Sequence, residues 1–133
     1  MTNGIVVDSS ILISYLNKDQ HPKVELFKSL VRQNRVLFLP VILQEVLQGI
    51  RDDKFFQEVK TILLNFECIQ YPPVEMAIEA AGLYRFLKRK GITIRKPNDC
   101  LIAAVCLAYK TPLLHNDVDF DQISKFTALK INK

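Results

Sequence analysis

Little in this chain of 133 residues marks it for a special environment. Its apolar runs are all far shorter than the roughly 20 residues a membrane-spanning helix needs, which excludes such a helix. Met1-Thr2-Asn3-Gly4 leads straight into a strand-like run, without the basic and apolar regions of a signal peptide, so a cytoplasmic protein is expected. The three cysteines, Cys68, Cys100 and Cys106, are odd in number and form no C-x-x-C pair. Buried reduced thiols are therefore expected rather than a zinc site or a disulfide. No Ser-His-Asp set, reactive cysteine or P-loop glycine pattern offers a nucleophile or a phosphate cradle. No repeat, low-complexity tract or linker interrupts the chain. It reads as a single domain over residues 1–133, large enough for a core without staples.

What is present is a soluble globular composition, 49% hydrophobic and 24% charged, with a net charge of +4. The excess of positive charge has one source. Lys88, Arg89, Lys90, Arg95 and Lys96 lie within nine residues that contain no acid, and without them the remaining 13 basic and 14 acidic residues sum to −1. This segment has two readings: a solvated helix end whose cations suit the helix dipole, or a patch that tracks nucleic-acid phosphates.

Hydrophobic periodicity alternates between strand and helix. Gly4 to Val7 reads as a buried parallel strand, and Asp8-Ser9-Ser10 caps a helix with Ile11, Leu12, Tyr15 and Leu16 at helical spacing. Pro22 suits a first helical turn, with Val24, Phe27, Leu30 and Val31 on the buried face. Val36 to Leu39 reads as a strand, and Pro40 starts a helix that closes near Gly49. Phe55, Phe56, Val59, Ile62 and Leu63 mark another helix, and Phe66 to Ile69 a short strand. The longest helix runs from Val74 to about Lys90, with Val74, Ala77, Ile78, Ala81 and Leu87 inside and Gly91 as its stop. Pro97 to Tyr109 reads as a helix, Pro112 to His115 as a strand, and Ala128 to Ile131 as a last strand. The alternation predicts an α/β fold with one mostly parallel sheet of four to five strands and helices on both faces.

Ligands of open α/β sheets bind at the carboxyl ends of the strands. Asp8 closes the first strand, Asp117 follows the fourth, Glu45 lies about a turn and a half into the helix leaving the second, and Asp99 stands in the first turn of its helix. The geometry gathers four carboxylates at one rim, where facing carboxylates call for a divalent cation. Each also has a plain structural reading. Asp8 suits a helix cap, Glu45 an exposed helix position, Asp99 a helix N-terminus, and Asp117, Asp119 and Asp121 an acidic turn. An all-carboxylate set selects hard cations, Mg2+ or Mn2+, over zinc.

The stretches around these acids resemble the four motifs of PIN-domain ribonucleases, and most closely those of the VapC toxins of prokaryotic toxin–antitoxin pairs. The stretches are Val6-Val7-Asp8-Ser9-Ser10-Ile11-Leu12-Ile13, Leu43-Gln44-Glu45-Val46-Leu47-Gln48-Gly49, Pro97-Asn98-Asp99-Cys100-Leu101-Ile102-Ala103-Ala104 and Leu113-Leu114-His115-Asn116-Asp117-Val118-Asp119-Phe120. The resemblance covers essentially the whole chain, in order and spacing. It implies a three-layer α/β/α PIN-like fold and a catalytic, metal-binding set of Asp8, Glu45, Asp99 and Asp117. It also implies that Ser10 orients Asp8 or a metal-bound water through its hydroxyl, and that Asp119 is an auxiliary acid. One position departs from the pattern. His115 stands where many relatives carry Thr or Ser two residues before the fourth acid, and Asn116 is the candidate for part of that hydroxyl's role. His21 has no evident role in the sequence.

The reaction implied is metal-dependent hydrolysis of RNA phosphodiester bonds, leaving a 5′-phosphate, with single strands or loops preferred. Lys88, Arg89, Lys90, Arg95 and Lys96 would hold the backbone. A small cognate antitoxin and a homodimer are the implied partners. A haloacid-dehalogenase phosphatase requires an acid where Ser10 stands, and a receiver domain requires an acid pair after the first strand. Three alternatives stay within the family: an RNA-processing enzyme, a nuclease for structured DNA, and a catalytically silent binding module. Against the last, none of the four acids is missing.

Overall fold

The computed structural model describes residues 3–133; Met1 and Thr2, where the reading of a leaderless start begins, lie outside the described residues. Four strands, β1 (Ile5–Val7), β2 (Val36–Phe38), β3 (Glu67–Cys68) and β4 (Leu113–Leu114), form one parallel sheet in the order β3-β2-β1-β4. Seven helices fill the connections among the described residues. They are α1 (Ser9–Leu16), α2 (Pro22–Arg32), α3 (Pro40–Gln48), α4 (Asp53–Leu63), α5 (Pro73–Arg89), α6 (Pro97–Ala108) and α7 (Val118–Phe126).

The strand order fixes where a site can form. From β1 the chain steps to β2 and then β3 in one direction, and α5 and α6 carry it back across β1 to β4. Parallel crossovers are right-handed, so reversing direction moves the connecting helices to the other face of the sheet. The helices accordingly pack in two groups, α1 with α2 and α3 and α3 with α4, then α6 with α5 and α7. The order in which the chain adds strands reverses between β1 and β4, and the crevice at their carboxyl ends is where such sheets place ligands. Asp8 and the segment from His115 to Asp117 stand there.

Strands β1 and β2 are buried on both faces, as their β-branched and leucine-rich runs require. Register pairs Val6 with Leu37 on one side and with Leu113 on the other. Gly4 is constrained by close approach, since a Cβ there would run into the Leu37 side chain. Helix α6 is buried almost all round, at Cys100 and from Ile102 through Cys106. Truncating Ile102 to Ala would cost about 2–5 kcal/mol. All three cysteines are free thiols, with Cys100 and Cys106 buried and Cys68 half-buried.

The sequence reading fails at the edges of this architecture. The strand expected over Ala128 to Ile131 reduces to one bridge from Ile131 to Leu113. Helix α7 stands where the acids at 117, 119 and 121 suggest a turn, because Asp117 caps it as a helix start. On α5, Val74, Ala77, Ile78 and Ala81 face solvent, and the buried positions are Met76 and Leu87, with Ala80, Leu83 and Tyr84 packed against the core. Two apolar stripes share this helix, and α6 covers the one carrying Met76 and Leu87. Val31 is likewise exposed. Gly91, at φ +85°, ends α5 as expected.

Candidate functional site

The site grows out of the first turn of α1. Asp8 is the helix N-cap, and its Oδ2 accepts from the Ser10 N–H at 3.1 Å and from Ser10 Oγ at 2.6 Å. Ser10 Oγ in turn accepts the Asn116 N–H at 3.0 Å, while the Asp8 N–H donates to the Leu114 carbonyl at 2.9 Å. Thus the ends of β1 and β4 are laced together at the switch point. Asn116 takes part through its backbone, with its side chain exposed. Asp8 thus caps α1 while lying close enough to Glu45 and Asp99 for their charges to interact.

Ser9 makes the second connection. Its hydroxyl donates to Glu45 Oε1 at 3.0 Å, and Asn98 Nδ2 donates to Glu45 Oε2 at 3.3 Å. Glu45 on α3 is therefore held from α1 on one side and from α6 on the other. Neither Ser9 nor Asn98 was singled out in the sequence. Their polar character at a helix start was the only signal available, and capping explains that equally well.

Asp99, in the first turn of α6, is buried with 3% of its surface exposed, and its Oδ2 has no hydrogen-bond partner among the described residues. Burial, followed by the charges of Asp8 and Asp117, pushes this carboxyl up to about 7, against the pull of Lys96. Asp8 is raised as well, by burial and by Glu45, against the bonds from Ser10. Asp117 goes the other way. Burial opposes its ionisation, but the Asp119 N–H and then Lys96 and Arg95 more than offset it and hold the carboxylate below its usual range. Asp117 also caps α7, its Oδ1 accepting the Asp119 N–H at 3.0 Å.

Ligand oxygens of Asp99, Asp117 and Asp119 lie within 4.8 Å of one another. This closest trio includes Asp119, assigned only an auxiliary role from the sequence. Asp8 and Glu45 act on Asp99 from beside it. The donor set is all oxygen, of the kind that hard divalent cations take. The unpartnered, buried oxygen of Asp99 is the group such an ion would satisfy, so these residues fit Mg2+ or Mn2+.

The basic segment divides. Lys88 and Arg89 occupy the last turn of α5, as a solvated helix end would, with Lys88 Nζ 6.0 Å from the centre of the Tyr84 ring and Lys90 Nζ 5.5 Å from that of Phe86. Arg95 and Lys96 turn toward the acids. Arg95 reaches Asp119 Oδ2 through Nε at 3.3 Å and through its backbone N–H at 3.4 Å, and its Nη2 lies 3.7 Å from Asp117 Oδ1. Lys96 Nζ is 2.9 Å from Asp117 Oδ2. Neither sequence reading of the segment anticipated these ion pairs.

His115 is fully buried, and its Nδ1 accepts the Asp117 N–H at 3.0 Å. The ring proton therefore belongs on Nε2, which lies 3.4 Å from Asp121 Oδ1 without hydrogen-bond geometry. Burial, then the nearby Lys23 ammonium, lowers the pKa of this imidazole. His115 thus supports the backbone of Asp117 from within the core. His21 has a role that the sequence did not reveal: it caps α2, with its Nδ1 accepting the Lys23 N–H at 3.0 Å.

A family model described as PIN domain matches residues 5–126. The chain belongs to the PIN domain family. It is 30% identical over 131 residues to the VapC ribonuclease Mb1587 of Mycobacterium bovis and to the ribonuclease VapC11 of Mycobacterium tuberculosis, covering 95% of this chain and 96% of each relative. Among solved structures it is similar to VapBC2 from Rickettsia felis bound to a promoter DNA fragment, with a TM-score of 0.76, 21% identity and 96% of both chains covered. DNA-bound VapBC from Salmonella typhimurium gives a TM-score of 0.75 at 18% identity, covering 97% of this chain and 96% of that one. These structures share the PIN fold found here.

Proposed function

We propose that this PIN domain is a cytoplasmic, Mg2+- or Mn2+-dependent endoribonuclease, acting as the toxin of a toxin–antitoxin pair and folding as a single unit over residues 1–133. The observation that carries the reading is the buried Asp99 oxygen, unpartnered among the described residues and ringed by further carboxylates. The naming of its 30%-identical relatives as VapC ribonucleases supports the substrate class. No helix among the described residues is long and apolar enough to cross a membrane.

Asp8, Glu45, Asp99 and Asp117 would hold the cation, with Asp119 beside them. When bound, the cation would supply the positive charge that offsets charge building on the phosphate oxygens as a phosphodiester is hydrolysed. The chain's own residues set the geometry. Ser10 fixes one oxygen of Asp8, Ser9 and Asn98 fix both oxygens of Glu45, and His115 and the α7 cap fix Asp117. Lys88, Arg89 and Lys90 at the end of α5, with Arg95 and Lys96 nearer the acids, would draw in the RNA backbone, and unpaired bases would be the accessible ones.

The partners proposed are RNA, a small cognate antitoxin and a second copy of the chain. Large apolar side chains open to solvent, Val74 and Ile78 on α5 and Ile62 and Leu64 at the end of α4, provide surface for protein partners. The test is induced expression in cells. Growth arrest with RNA cleavage, absent for Asp8→Asn and relieved by a small protein from the adjacent reading frame, is expected. Harmless expression of verified active enzyme would point to an RNA-processing nuclease instead.

A further inference from the structure

We propose that Lys96 is a resident counter-cation of the acidic site, competing with the divalent cation for Asp117 and so setting the metal concentration at which the site fills. The inference rests on the metal-site reading above and adds a residue that regulates it.

The two oxygens of Asp117 have different obligations. Oδ1 accepts the Asp119 N–H at 3.0 Å, which caps α7 and fixes the carboxylate's orientation. Oδ2 accepts no backbone N–H among the described residues, and it is the oxygen that Lys96 Nζ approaches at 2.9 Å. The oxygen best placed to turn to an incoming ion is thus the one already taken by an ammonium. Lys96 is itself well anchored, as the N-cap residue of α6 whose carbonyl accepts the Asp99 N–H at 3.0 Å. Its charge acts on Asp99 and Asp8 as well as on Asp117. It therefore neutralises part of the cluster while repelling any second cation.

Arg95, its neighbour, does a different job. Two of its groups, Nε and the backbone N–H, grip Asp119, which ties the loop before α6 to α7. The only approach of Arg95 to Asp117 among the described residues is the longer one of Nη2 to Oδ1 at 3.7 Å, on the oxygen that Lys96 does not take. Lys96 has one contact through a flexible stem, and 59% of its side chain is exposed. Solvent screens the Lys96 end of the pair, although the Asp117 side chain is only 9% exposed, so the contact is weak enough to exchange and Lys96 sets a threshold rather than locking the site.

The experiment is calorimetric titration of the full chain with MnCl2 at low salt, comparing wild type, Lys96→Gln and Lys96→Arg, with thermal melts to confirm folding. Lys96→Gln should bind Mn2+ about two- to fivefold more tightly than wild type, the range that an ion pair with a solvent-screened lysine can contribute. The difference should narrow as salt is raised. Lys96→Arg, which keeps the charge, should stay near wild type. Unchanged or weaker binding by Lys96→Gln, or equal tightening by both variants, would overturn the role of Lys96. Failure of wild type and both variants alike to bind Mn2+ would instead overturn the metal site on which the inference depends.

Discussion

The backbone N–H of Asn116 donates to the hydroxyl of Ser10 across 3.0 Å, and the same hydroxyl donates to Asp8 at 2.6 Å. One side chain therefore couples the loop after β4 to the first acid of the cluster. Ser10→Ala should remove both bonds. A hydrogen bond to a charged group contributes about 1.5–3 kcal/mol, so a destabilisation of that order is expected, with a lower cleavage rate at saturating metal. Chemical denaturation and single-turnover kinetics would measure the two effects. Unchanged cleavage would reduce Ser10 to a helix-start residue.

Asp99 sets a pH dependence of stability. Its carboxyl is held at about 7 in the fold against about 3.9 when unfolded, so between those values the folded chain binds a proton that the unfolded chain has released. The resulting stabilisation is full below about pH 4 and is lost as pH rises through about 7. Asp8, also raised, adds to the same trend, and depressed Asp117 acts in the opposite sense as pH falls below the usual carboxylate range. Asp99→Asn should stabilise the metal-free protein at pH 8 by up to about 4 kcal/mol and leave it little changed at pH 4. It should also blunt the gain from metal, which for wild type is about 2.7 kcal/mol at a hundred times the dissociation constant. Melts at both pH values, with and without Mn2+, would test this; a destabilised Asp99→Asn with an intact metal response would make Asp99 purely structural.

His115 supports Asp117 through Nδ1, so the shape of the acceptor matters more than the ring. Asn carries an acceptor at the corresponding distance from the backbone, whereas Leu fills the volume with none. His115→Asn should keep most metal affinity despite losing some core packing. His115→Leu, which strands the Asp117 N–H, should weaken metal binding along with stability. Equal metal affinity in the two variants would show that the imidazole serves packing alone.

The legibility of this chain followed physical range. Strand and helix order could be read because buried β-branched runs and helical apolar spacing are local, and the rim position of Asp8, Glu45, Asp99 and Asp117 followed from parallel-sheet geometry. What could not be read depended on contacts between elements. Only packing decides that α6 covers Met76 rather than Ile78. Helices α1, α2 and α6 are followed by left-handed residues Lys18, Asn34 and Lys110 rather than glycine, so the usual stop signal was absent. The inward turn of Arg95 and Lys96 depends on α7, whose acidic start had looked like a turn.

Among the described residues, the cations paired with the site acids are Arg95 and Lys96 and not Lys88, Arg89 or Lys90. Replacing all three with Ala should weaken RNA binding across unrelated sequences. It should also flatten the dependence of log affinity on log salt by about 0.7 per lost phosphate contact on single strands. Filter binding of an Asp8→Asn background over a salt series would report the slope. An unchanged slope would leave these residues as a solvated helix end.

The most direct measurement is single-turnover cleavage of an unstructured RNA by purified wild type and Asp8→Asn across a Mn2+ and Mg2+ titration, with chelator as the zero point. Cleavage by wild type should rise with metal and vanish with chelator. A folded Asp8→Asn protein should be slower by at least about a hundredfold at every metal concentration, the scale on which positioned charge acts in catalysis. Undiminished cleavage by Asp8→Asn, or wild-type cleavage that persists in chelator, would contradict the metal-dependent site.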